Sequence, residues 1–556
     1  GTESNQFNGT FYGNGHVISN VSISQSGTSG VGIFGVTGNT ARILDLGVEN
    51  ATVSGKDYTG VIVGNSAGTI TNCYVKGNVN VNGNSYVGAI TGQATNTIAS
   101  SYTSGNININ GSGYVGGLAG YINSSVRNSF VQDVNVTSSS GKAGGFTGVF
   151  GSAASYDKIS IKGTINVSGS NCIGGYVGSS DISLSNLNAN VTGTVKATSG
   201  YVGGIAGSIS SSRTISNCNA TMSITGSGGN YVGGIVGYAN SGTISQSSYN
   251  GTITATGTNS VGGIAGASAS VITNCTASGM INASGNCSSI GGIIGFMSNN
   301  GKVTNCNSNM NINNSGTGNS IGGLIGQLYS SSIVVSKSYS TGNITAANSS
   351  YVGGLIGDIR TNGHITINSC YTTGNVTGSS NVGGFAGRIY ADSNNGDSYY
   401  QVYIETSFAS GNVTGSNSTY TGGFVGYAHE VSSSDSYPMD GDIYIYTCYA
   451  SGTVSSGKGF FGDSNAASMS GCVYNNANTA SQSSVTGLSL TQMQDQATMT
   501  DRGFTTDKGW KYESGKTPQL IITSTGKTSS TTDQSYSYYT VERPVNTNSD
   551  DLQNIL

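Results

Sequence analysis

The stretch Tyr231-Val232-Gly233-Gly234-Ile235-Val236-Gly237 decides the fold, because copies of it recur along most of the chain. From the first copy to the thirteenth, successive copies lie 28 to 31 residues apart, and the last two intervals lengthen to 39 and 36 residues. A fixed period of this size indicates a solenoid, a propeller or another repeat array. The fifteen copies, which we name anchors, end at Gly35, Gly64, Gly92, Gly120, Gly148, Gly178, Gly207, Gly237, Gly266, Gly295, Gly326, Gly357, Gly387, Gly426 and Gly462.

The repeat that ends at Gly92 shows which secondary structure lies between anchors. Residues 69–74, 78–82 and 86–92 form three short segments, in which apolar and polar residues alternate with a period of two. Gly77 separates the first two segments and Gly83-Asn84 the last two, as is typical of turns between strands, and the alternation places Val79 and Val81 on one face. Helical repeats of this length would need apolar residues three and four positions apart. We therefore predict an all-β fold, a single elongated parallel β-helix (β-solenoid) of about fifteen three-strand coils of ~29–30 residues.

The composition favours one elongated body over several globular domains. A chain of 556 residues would ordinarily form several domains, but a solenoid grows by stacking coils. Charged residues make up 8% and the net charge is −4, which gives no reason to expect nucleic acid or an anionic membrane as partner. No apolar run is long enough to span a bilayer. Pro438, Pro518 and Pro544 lie outside the regular repeats, as expected if every backbone donor of the repeats is paired.

The chain divides into four predicted segments. Residues 1–29 form a first, truncated coil, and residues 30–475 form the repeats. Residues 476–522 form a C-terminal cap, and residues 523–556 are a Ser/Thr-rich tail. A solenoid needs its last coil covered, which is the role we assign to the cap. Because the chain starts at Gly1 without Met or a signal peptide, we expect that upstream sequence has been removed.

The predicted cap contains the one convincing helical stretch, from Leu488 to Thr498. Leu490, Met493 and Ala497 recur at helical spacing and would share one face. The sole tryptophan, Trp510, follows and adds apolar bulk to this segment.

Two columns of equivalent positions run through the repeats. One column, before a tight turn, holds seven of the nine cysteines among serines: Cys73, Ser101, Ser129, Cys218, Ser247, Cys275, Cys306, Ser338, Cys370, Ser407, Cys448 and Cys472. We favour a ladder of unpaired internal thiols, and a disulfide between neighbours such as Cys275 and Cys306 is the alternative. The other column precedes the anchor glycines and predicts a stacked aromatic ladder: Tyr58, Tyr86, Tyr114, Tyr201, Tyr231, Tyr351 and Tyr420.

Two segments in the last third of the rod, each between an anchor and the next residue of the Cys/Ser column, are enlarged and carry the candidate site. From anchor to column the chain takes 9 residues after Gly64, but 20 after Gly387 and 22 after Gly426. Insertions on one edge of a repeat protein are frequently its binding face, although tolerated surface insertions are an equal alternative. The candidate residues are Asp392, Asp397, Tyr399, Tyr400, His429, Glu430, Asp435, Tyr437, Asp440 and Asp442. Carboxylates suit Ca²⁺, for which the ligands would be Asp435, Asp440 and Asp442; no other cofactor is expected.

The repeat V-G-G-[LIF]-x-G, with I-x-N-C-Y and G-N-V between copies, resembles the GLUG motif of bacterial extracellular proteins. The resemblance covers about residues 30–475, and copies depart from it at Ala143, Thr421 and Lys458. It implies a β-helical protein that is secreted or surface-associated, often with adhesin-like architecture, and it transfers no catalytic residues.

Function is expected to lie outside catalysis, because His16, His364 and His429 are far apart in sequence and belong to no catalytic pattern. The favoured function is an extracellular adhesin or stalk whose loops bind a glycan or protein ligand on a host or neighbouring cell. A self-assembling protein of a filament or surface layer is the alternative. A polysaccharide-active β-helix enzyme is less favoured. An ice-binding face ranks last, because Thr pairs such as Thr69 and Thr71 do not recur.

Overall fold

The computed structural model describes residues 1–228, 231–299, 301–391, 401–430, 442–464, 467–477, 482 and 484–522. In these residues 57 strands belong to one continuous sheet, and successive coils pair in parallel along it. The fold is a β-solenoid of about 13 turns, with 61% of the residues in strands and 3% in helices. The predicted fold class is confirmed. Fifteen strands stack at the anchors, and the turn count is slightly below the fifteen coils predicted from them.

Strands stack in columns that we name by their place in the repeat. The anchor side consists of strands that begin within or just after the anchors: Phe34–Thr37, Val63–Ser66, Thr91–Ala94, Ala119–Ile122, Thr147–Phe150, Val177–Ser180, Ala206–Ile209, Val236–Ala239, Ala265–Ser268, Ile294–Ser298, Ala386–Ala391, Val425–Glu430 and Phe461–Ser464. The second side precedes the Cys/Ser column: Thr10–Tyr12, Arg42–Leu44, Thr69–Thr71, Ile98–Ala99, Leu184–Ser185, Arg213–Ser216, Gly242–Ser245, Val271–Thr273, Lys302–Thr304 and Ser468–Ser470.

The third side follows the Cys/Ser column: Val17–Ser24, Gly47–Ser54, Tyr74–Asn82, Tyr102–Gly111, Asn188–Ala189, Thr194–Ala197, Asn219–Ala220, Ser223–Ser227, Ser248–Thr256, Thr276–Ser284, Asn307–Asn314, Tyr339–Ser340, Tyr371–Thr372, Val413–Gly415, Val473–Asn475 and Thr486–Leu488. The tyrosine side leads into the anchors: Tyr86–Gly88, Tyr114–Gly116, Ala143–Gly144, Cys172–Gly174, Tyr201–Gly203, Tyr231–Gly233, Ser260–Gly262, Ser289–Gly291, Asn319–Gly322 and Thr421–Gly422. Eight longer strands continue around a corner: Ser125–Ser138, Ser155–Gly169, Ile325–Ser336, Ile344–Gly353, Ile356–Asn368, Val376–Gly383, Gln401–Ala409 and Asp442–Ala450.

The corner before the Cys/Ser column is formed by a single residue with left-handed backbone. Asn72 has a φ of 53° and Asn274 a φ of 55°, a conformation that Asn tolerates better than most residues. The strand predicted at residues 69–74 therefore ends at Thr71, and Tyr74 starts the next one. Gly77, predicted as a turn, lies instead within that next strand with a φ of 90°, where the register shifts between coils. The shift is a bulge, which adds a residue without ending the strand.

The second anchor glycine is required by the close approach of successive coils. A Cβ atom added to Gly263 would lie well inside 3.0 Å of the carbonyl oxygen of Gly292 in the next coil. The same position in the preceding coil, Gly234, meets Gly263 in the same way. From Gly117 onward every coil carries glycine at this position, whereas the first three coils carry Ile33, Val61 and Ala89 there, so the tight approach belongs to the glycine-bearing coils.

The core fills the tube between the sides with Val, Ile, Leu and Phe side chains that are almost fully buried. Val79 and Val81, predicted to share a face, both point inward. Near the C-terminal end, Phe385, Phe424 and Phe460 stack on one another with ring centroids 4.6 and 4.8 Å apart. This spacing is close to the distance between paired strands, so the rings repeat once per coil.

The two ends of the rod differ. At the N-terminal end, Val17–Ser24 pairs with Gly47–Ser54 along one edge, and the described residues contain no strand on its other edge. Val17 and Ile18 remain 41% and 37% exposed there. At the C-terminal end, the backbone amides of Phe460 and Phe461 both donate to the side-chain oxygen of Gln482, at 2.8 and 3.0 Å. The Gln482 amide donates in turn to the Phe461 carbonyl oxygen at 2.8 Å, so this edge is satisfied.

The segment after the last coil adds one strand to the rod and also packs against the coils. Thr486–Leu488 pairs in parallel with Val473–Asn475. The remaining elements are helices α1 (Leu490–Gln494) and α2 (Gln496–Thr500), the 3₁₀ turns Ser418–Tyr420 and Thr506–Lys508, and a hairpin of Trp510–Lys511 with Gln519–Leu520.

The single helix predicted around residues 488–498 is two short helices. Asp495 has an extended backbone and its side chain accepts from the backbone amide of Thr498, so it ends α1 and caps α2. The break changes which residues are buried. Met493 and Met499 face the core, whereas Leu490 is 44% exposed and Ala497 is exposed.

Candidate functional site

The two enlarged segments start and end at one corner, between the anchor side and the second side. The residues before the insertions, Ala391 and Glu430, are register partners, and so are the residues after them, Gln401 and Asp442. The insertions therefore leave the rod one above the other, in successive coils. Of the predicted site residues, the following lie outside the described residues: Asp392, Asp397, Tyr399, Tyr400, Asp435, Tyr437 and Asp440.

The three described members of the predicted site are held by local contacts. The backbone amide of Ile443 donates to Oε1 of Glu430 at 2.7 Å. The Tyr444 hydroxyl donates to Oδ2 of Asp442 at 2.7 Å, and this carboxylate raises the pKa of Tyr444 to about 12. The side chain of His429 contacts the Tyr427 hydroxyl, 3.1 Å from Nδ1.

Calcium binding stays a prediction for this corner. Within the described part of the chain, no three His, Cys, Asp or Glu side chains are grouped as metal ligands. Two of the three proposed ligands, Asp435 and Asp440, lie outside that part, and the third, Asp442, bonds to Tyr444.

A row of large side chains, which the sequence interpretation missed, lies on the anchor side beside this corner. Tyr329, Arg360, Tyr390 and His429 occupy equivalent positions in four successive coils. The Arg360 and Arg388 guanidinium groups lie 5.8 and 5.7 Å from the centroid of the Tyr390 ring, and the centroid of the His429 ring lies 5.3 Å from it. The row therefore alternates aromatic rings with cationic or titratable groups, an arrangement favourable for cation–π contacts.

A buried ion pair supports this row from the position two residues earlier in each strand. Arg388 donates to both oxygens of Asp358, at 2.7 and 2.8 Å, and the two residues are 8% and 1% exposed. The Arg388 guanidinium also lies 3.8 Å from the centroid of the Tyr351 ring. Although burial opposes its charge, the bond to Asp358 helps raise the pKa of Arg388 above its ordinary value. A two-point Arg–carboxylate pair is among the strongest polar contacts in proteins.

Arg360 is placed differently from Arg388. Its Nε lies 3.5 Å from Oδ2 of Asp358, and it is a buried atom without a hydrogen bond. The Arg360 side chain as a whole is 42% exposed, so its outer donors face solvent. The carboxylate of Asp358 is already used by Arg388 and by Gln327, whose amide donates to it at 3.0 Å.

We name this surface the Arg-Tyr patch, which consists of Tyr329, Tyr351, Asp358, Arg360, Arg388, Tyr390, Tyr427 and His429. In the sequence, the patch could be found from two positions of each repeat: the residue directly after the last anchor glycine, and the residue two positions after that one. Gly357-Asp358-Ile359-Arg360 and Gly387-Arg388-Ile389-Tyr390 follow successive anchors. Strand alternation turns these residues to the same side as each other, and stacking places the acid of one coil beside the base of the next.

The predicted Cys/Ser column lies inside the rod, and the predicted tyrosine column lies on its outside. All nine cysteines are free and buried, and serines of the next coil accept from the cysteine backbone amides: Ser101 from Cys73 and Ser247 from Cys218, at 3.2 and 3.1 Å. Outside, the Tyr58 and Tyr86 rings stack 4.8 Å apart, whereas Tyr86 and Tyr114 meet edge-on at 5.3 Å. A further stacked ladder begins just after the cysteine column: Tyr339, Tyr371, Phe408 and Tyr449.

We expect the thiols to be unreactive while the rod is folded. Burial raises the pKa of Cys73, Cys218 and Cys370 to about 12, so at pH 8 these thiols stay protonated as well as shielded. A colorimetric disulfide reagent should label no cysteine of the native chain within minutes, and all nine in denaturant. The variant Ser26→Cys, at an exposed turn, is the control and should react at once. Rapid labelling of a native cysteine would contradict the ladder.

Comparisons with known proteins give one local similarity. Residues amounting to 13% of this chain, a stretch of 74 residues, are 45% identical to a protein described as halomucin from Haloquadratum walsbyi. The match covers 1% of the length of that protein. Models of known protein families give no match, and neither do solved structures. Among the described residues, no helix has both the length and the apolar character needed to cross a membrane. The solenoid and the local similarity are compatible with a surface or structural protein.

Proposed function

We propose that the protein is an extracellular, surface-associated rod that acts as an adhesin or stalk, and that the corner bearing the insertions is its binding edge. One observation carries the proposal: charged and aromatic side chains gather at this corner and the adjoining Arg-Tyr patch. The chain as a whole is only 8% charged, so this concentration stands out. Exposed loops held by a rigid scaffold are frequent sites of binding.

The rod is suited to this role because its coils hold the corner rigidly. Each coil bonds to its neighbours through strand pairs on every side, and the two insertion ends are fixed at Ala391 and Glu430 by strand pairing. The resemblance to GLUG-motif proteins supports a bacterial extracellular or cell-surface location, and it supports a glycan or protein ligand on a host or neighbouring cell. The proposal assigns the protein no catalytic step.

The test is a binding experiment on the purified chain. Residues 392–400 and 431–441 are each replaced by a Gly-Asn turn, and adhesion to immobilised cells and glycans is compared with that of the parent. We expect adhesion to fall at least about tenfold, because the ligand would lose its main contacts. A control variant carries the same turn in place of residues 25–28, at the far end of the rod. Full adhesion by the trimmed rod, with no effect of Ca²⁺ on the parent, would refute the proposed binding edge.

A second candidate function is self-assembly, which the outer edge of Val17–Ser24 favours, since no strand among the described residues pairs with it. An exposed strand edge can pair with another chain. Negative-stain images should then show filaments or end-to-end dimers of the intact chain. A lysine at Ile18, on this edge, should abolish them. Particles that stay single at high concentration would count against assembly.

A further inference from the structure

We propose that the Arg-Tyr patch binds an acidic polysaccharide, a glycan that carries carboxylate or sulfate groups along its chain. The inference rests on the proposed function and deepens it by naming the ligand class. Its basis is the geometry of the patch, where the partly exposed Arg360 lies between Tyr329 and Tyr390 of the neighbouring coils.

The positive charge that remains available to a ligand in this patch is that of Arg360. Asp358 is buried and its oxygens are engaged by Arg388 and Gln327, so within the patch it neutralises the inner guanidinium. Arg360 approaches the same carboxylate only to 3.5 Å and keeps 42% of its side chain exposed. Its solvent-facing donors have the fork geometry that matches a carboxylate or sulfate. The described acids that border the patch include Glu430, which follows His429 and accepts from the backbone amide of Ile443, and Asp463, the partner of Tyr427 in the next coil.

The surface around Arg360 offers a ligand both hydrogen-bonding groups and apolar contact. Tyr329, in the preceding coil, is 49% exposed and offers part of its ring and its hydroxyl. Tyr390, in the next coil, is held between Arg360 and His429, so it is fixed in place. Tyrosine gives large contact area at low entropic cost, because its side chain has few rotatable bonds. Rings with hydroxyls beside a cation suit the apolar faces and hydroxyls of a sugar and the charge of an acidic one.

The shape of the patch favours a chain-like ligand over a compact one. The four side chains of the row rise one per coil, from Tyr329 to His429, along about 14 Å of the axis at the strand spacing. One available guanidinium is too little for nucleic acid, whose binding depends on many phosphate contacts. An extended polysaccharide with regularly spaced acidic groups would place one acidic group at Arg360. Its neighbouring sugar rings would then lie along the tyrosines.

The experiment measures binding of the full chain to immobilised polymers. Polygalacturonate provides carboxylates, heparin provides sulfates, and dextran is the neutral polymer. We expect binding to at least one acidic polymer and none to dextran. Arg360→Gln keeps the size and hydrogen-bonding character of the side chain, and it should weaken this binding at least about tenfold, as expected for a charge-assisted bond. Tyr329→Ala should weaken it in the same direction.

The matched control is Arg213→Gln, which removes an exposed arginine on the second side of the rod and should change binding less than twofold. Absence of binding to both acidic polymers, or equal losses from Arg360→Gln and Arg213→Gln, would overturn the proposal. Cell adhesion distinguishes this failure from that of the proposed function. If Arg360→Gln leaves adhesion intact while the trimmed rod loses it, the adhesin stands and the polysaccharide site falls.

Discussion

Replacing Gly263 by valine should divide the rod into two parts that unfold separately. The added side chain would overlap the Gly292 carbonyl oxygen in the next coil and the Ala277 side chain in the core. In this coil the first neighbour is backbone and the second is packed inside the tube, whereas the coils that hold Ile33, Val61 and Ala89 at this position are built around a side chain. We expect a loss of more than about 4 kcal/mol, the range reached when a core is overfilled and the backbone is strained together. In a stacked array this loss stays local, since each coil contacts only its neighbours.

The measurement is urea unfolding followed by hydrogen exchange of fragments on either side of residue 263. Two transitions should replace one, with the earliest exchange in the coils that flank the substitution. Gly27→Val is the matched control, because nothing lies within 4 Å of a Cβ at that exposed turn. Its effect should stay within about 0.5 kcal/mol. A single transition at the parent midpoint in Gly263→Val would show that the anchor corner tolerates a side chain.

Replacing Trp510 by alanine should release the C-terminal segment and fray the coils beneath it. The indole is fully buried, and its ring lies 5.0 Å from Phe504 and 5.8 Å from Tyr449. Tyr449 is the last ring of the stacked ladder that begins at Tyr339. Its hydroxyl donates to the Pro518 carbonyl oxygen at 2.5 Å. Removing so large a buried side chain costs about 3–5 kcal/mol. Trp510 belongs to a small core that the segment shares with Phe408, Tyr449 and Val473 of the coils, so this loss should undock the segment.

Limited proteolysis and hydrogen exchange check this result. Residues 442–475 should become accessible first, while the middle coils stay protected, because an uncovered end frays before the interior of a stack. Ile521→Ala serves as the control in the same segment, since Ile521 is 60% exposed and should matter little. Unchanged protection of residues 442–475 in Trp510→Ala would mean that the segment does not act as a cap.

The repeat pattern was enough to predict the solenoid, because its period and its alternation are properties of the chain itself. Val79 and Val81 share an inward face as alternation requires. Local boundaries were less predictable. Whether Gly77 ends a strand or bulges within one depends on the neighbouring coil, with which its register shifts. The helix break at Asp495 likewise arises from a side-chain cap that competes with a continuous helix.

The candidate site was predictable only in part. Counting residues from each anchor located the corner of His429, Glu430 and Asp442, and their strands do stack there. The same count would have paired Asp358 with Arg388, since both directly follow an anchor glycine. The sequence alone does not indicate that this pair is buried, because a charged residue in a strand usually faces solvent. Its burial comes from the surrounding Tyr351 and Gln327 side chains, which only the assembled coils bring together.

The parallel pairing of successive coils also determines how the rod would respond to force. Strands lie across the long axis, so the hydrogen bonds between coils point along it. A pull on the two ends loads these bonds one coil at a time, as in opening a zip, and does not shear many at once. Each coil occupies about 4.8 Å of the axis while folded. Released, its roughly thirty residues can extend to about 100 Å. A cell held by such a rod would therefore be attached through an extensible tether, which absorbs a sudden load by yielding coil by coil.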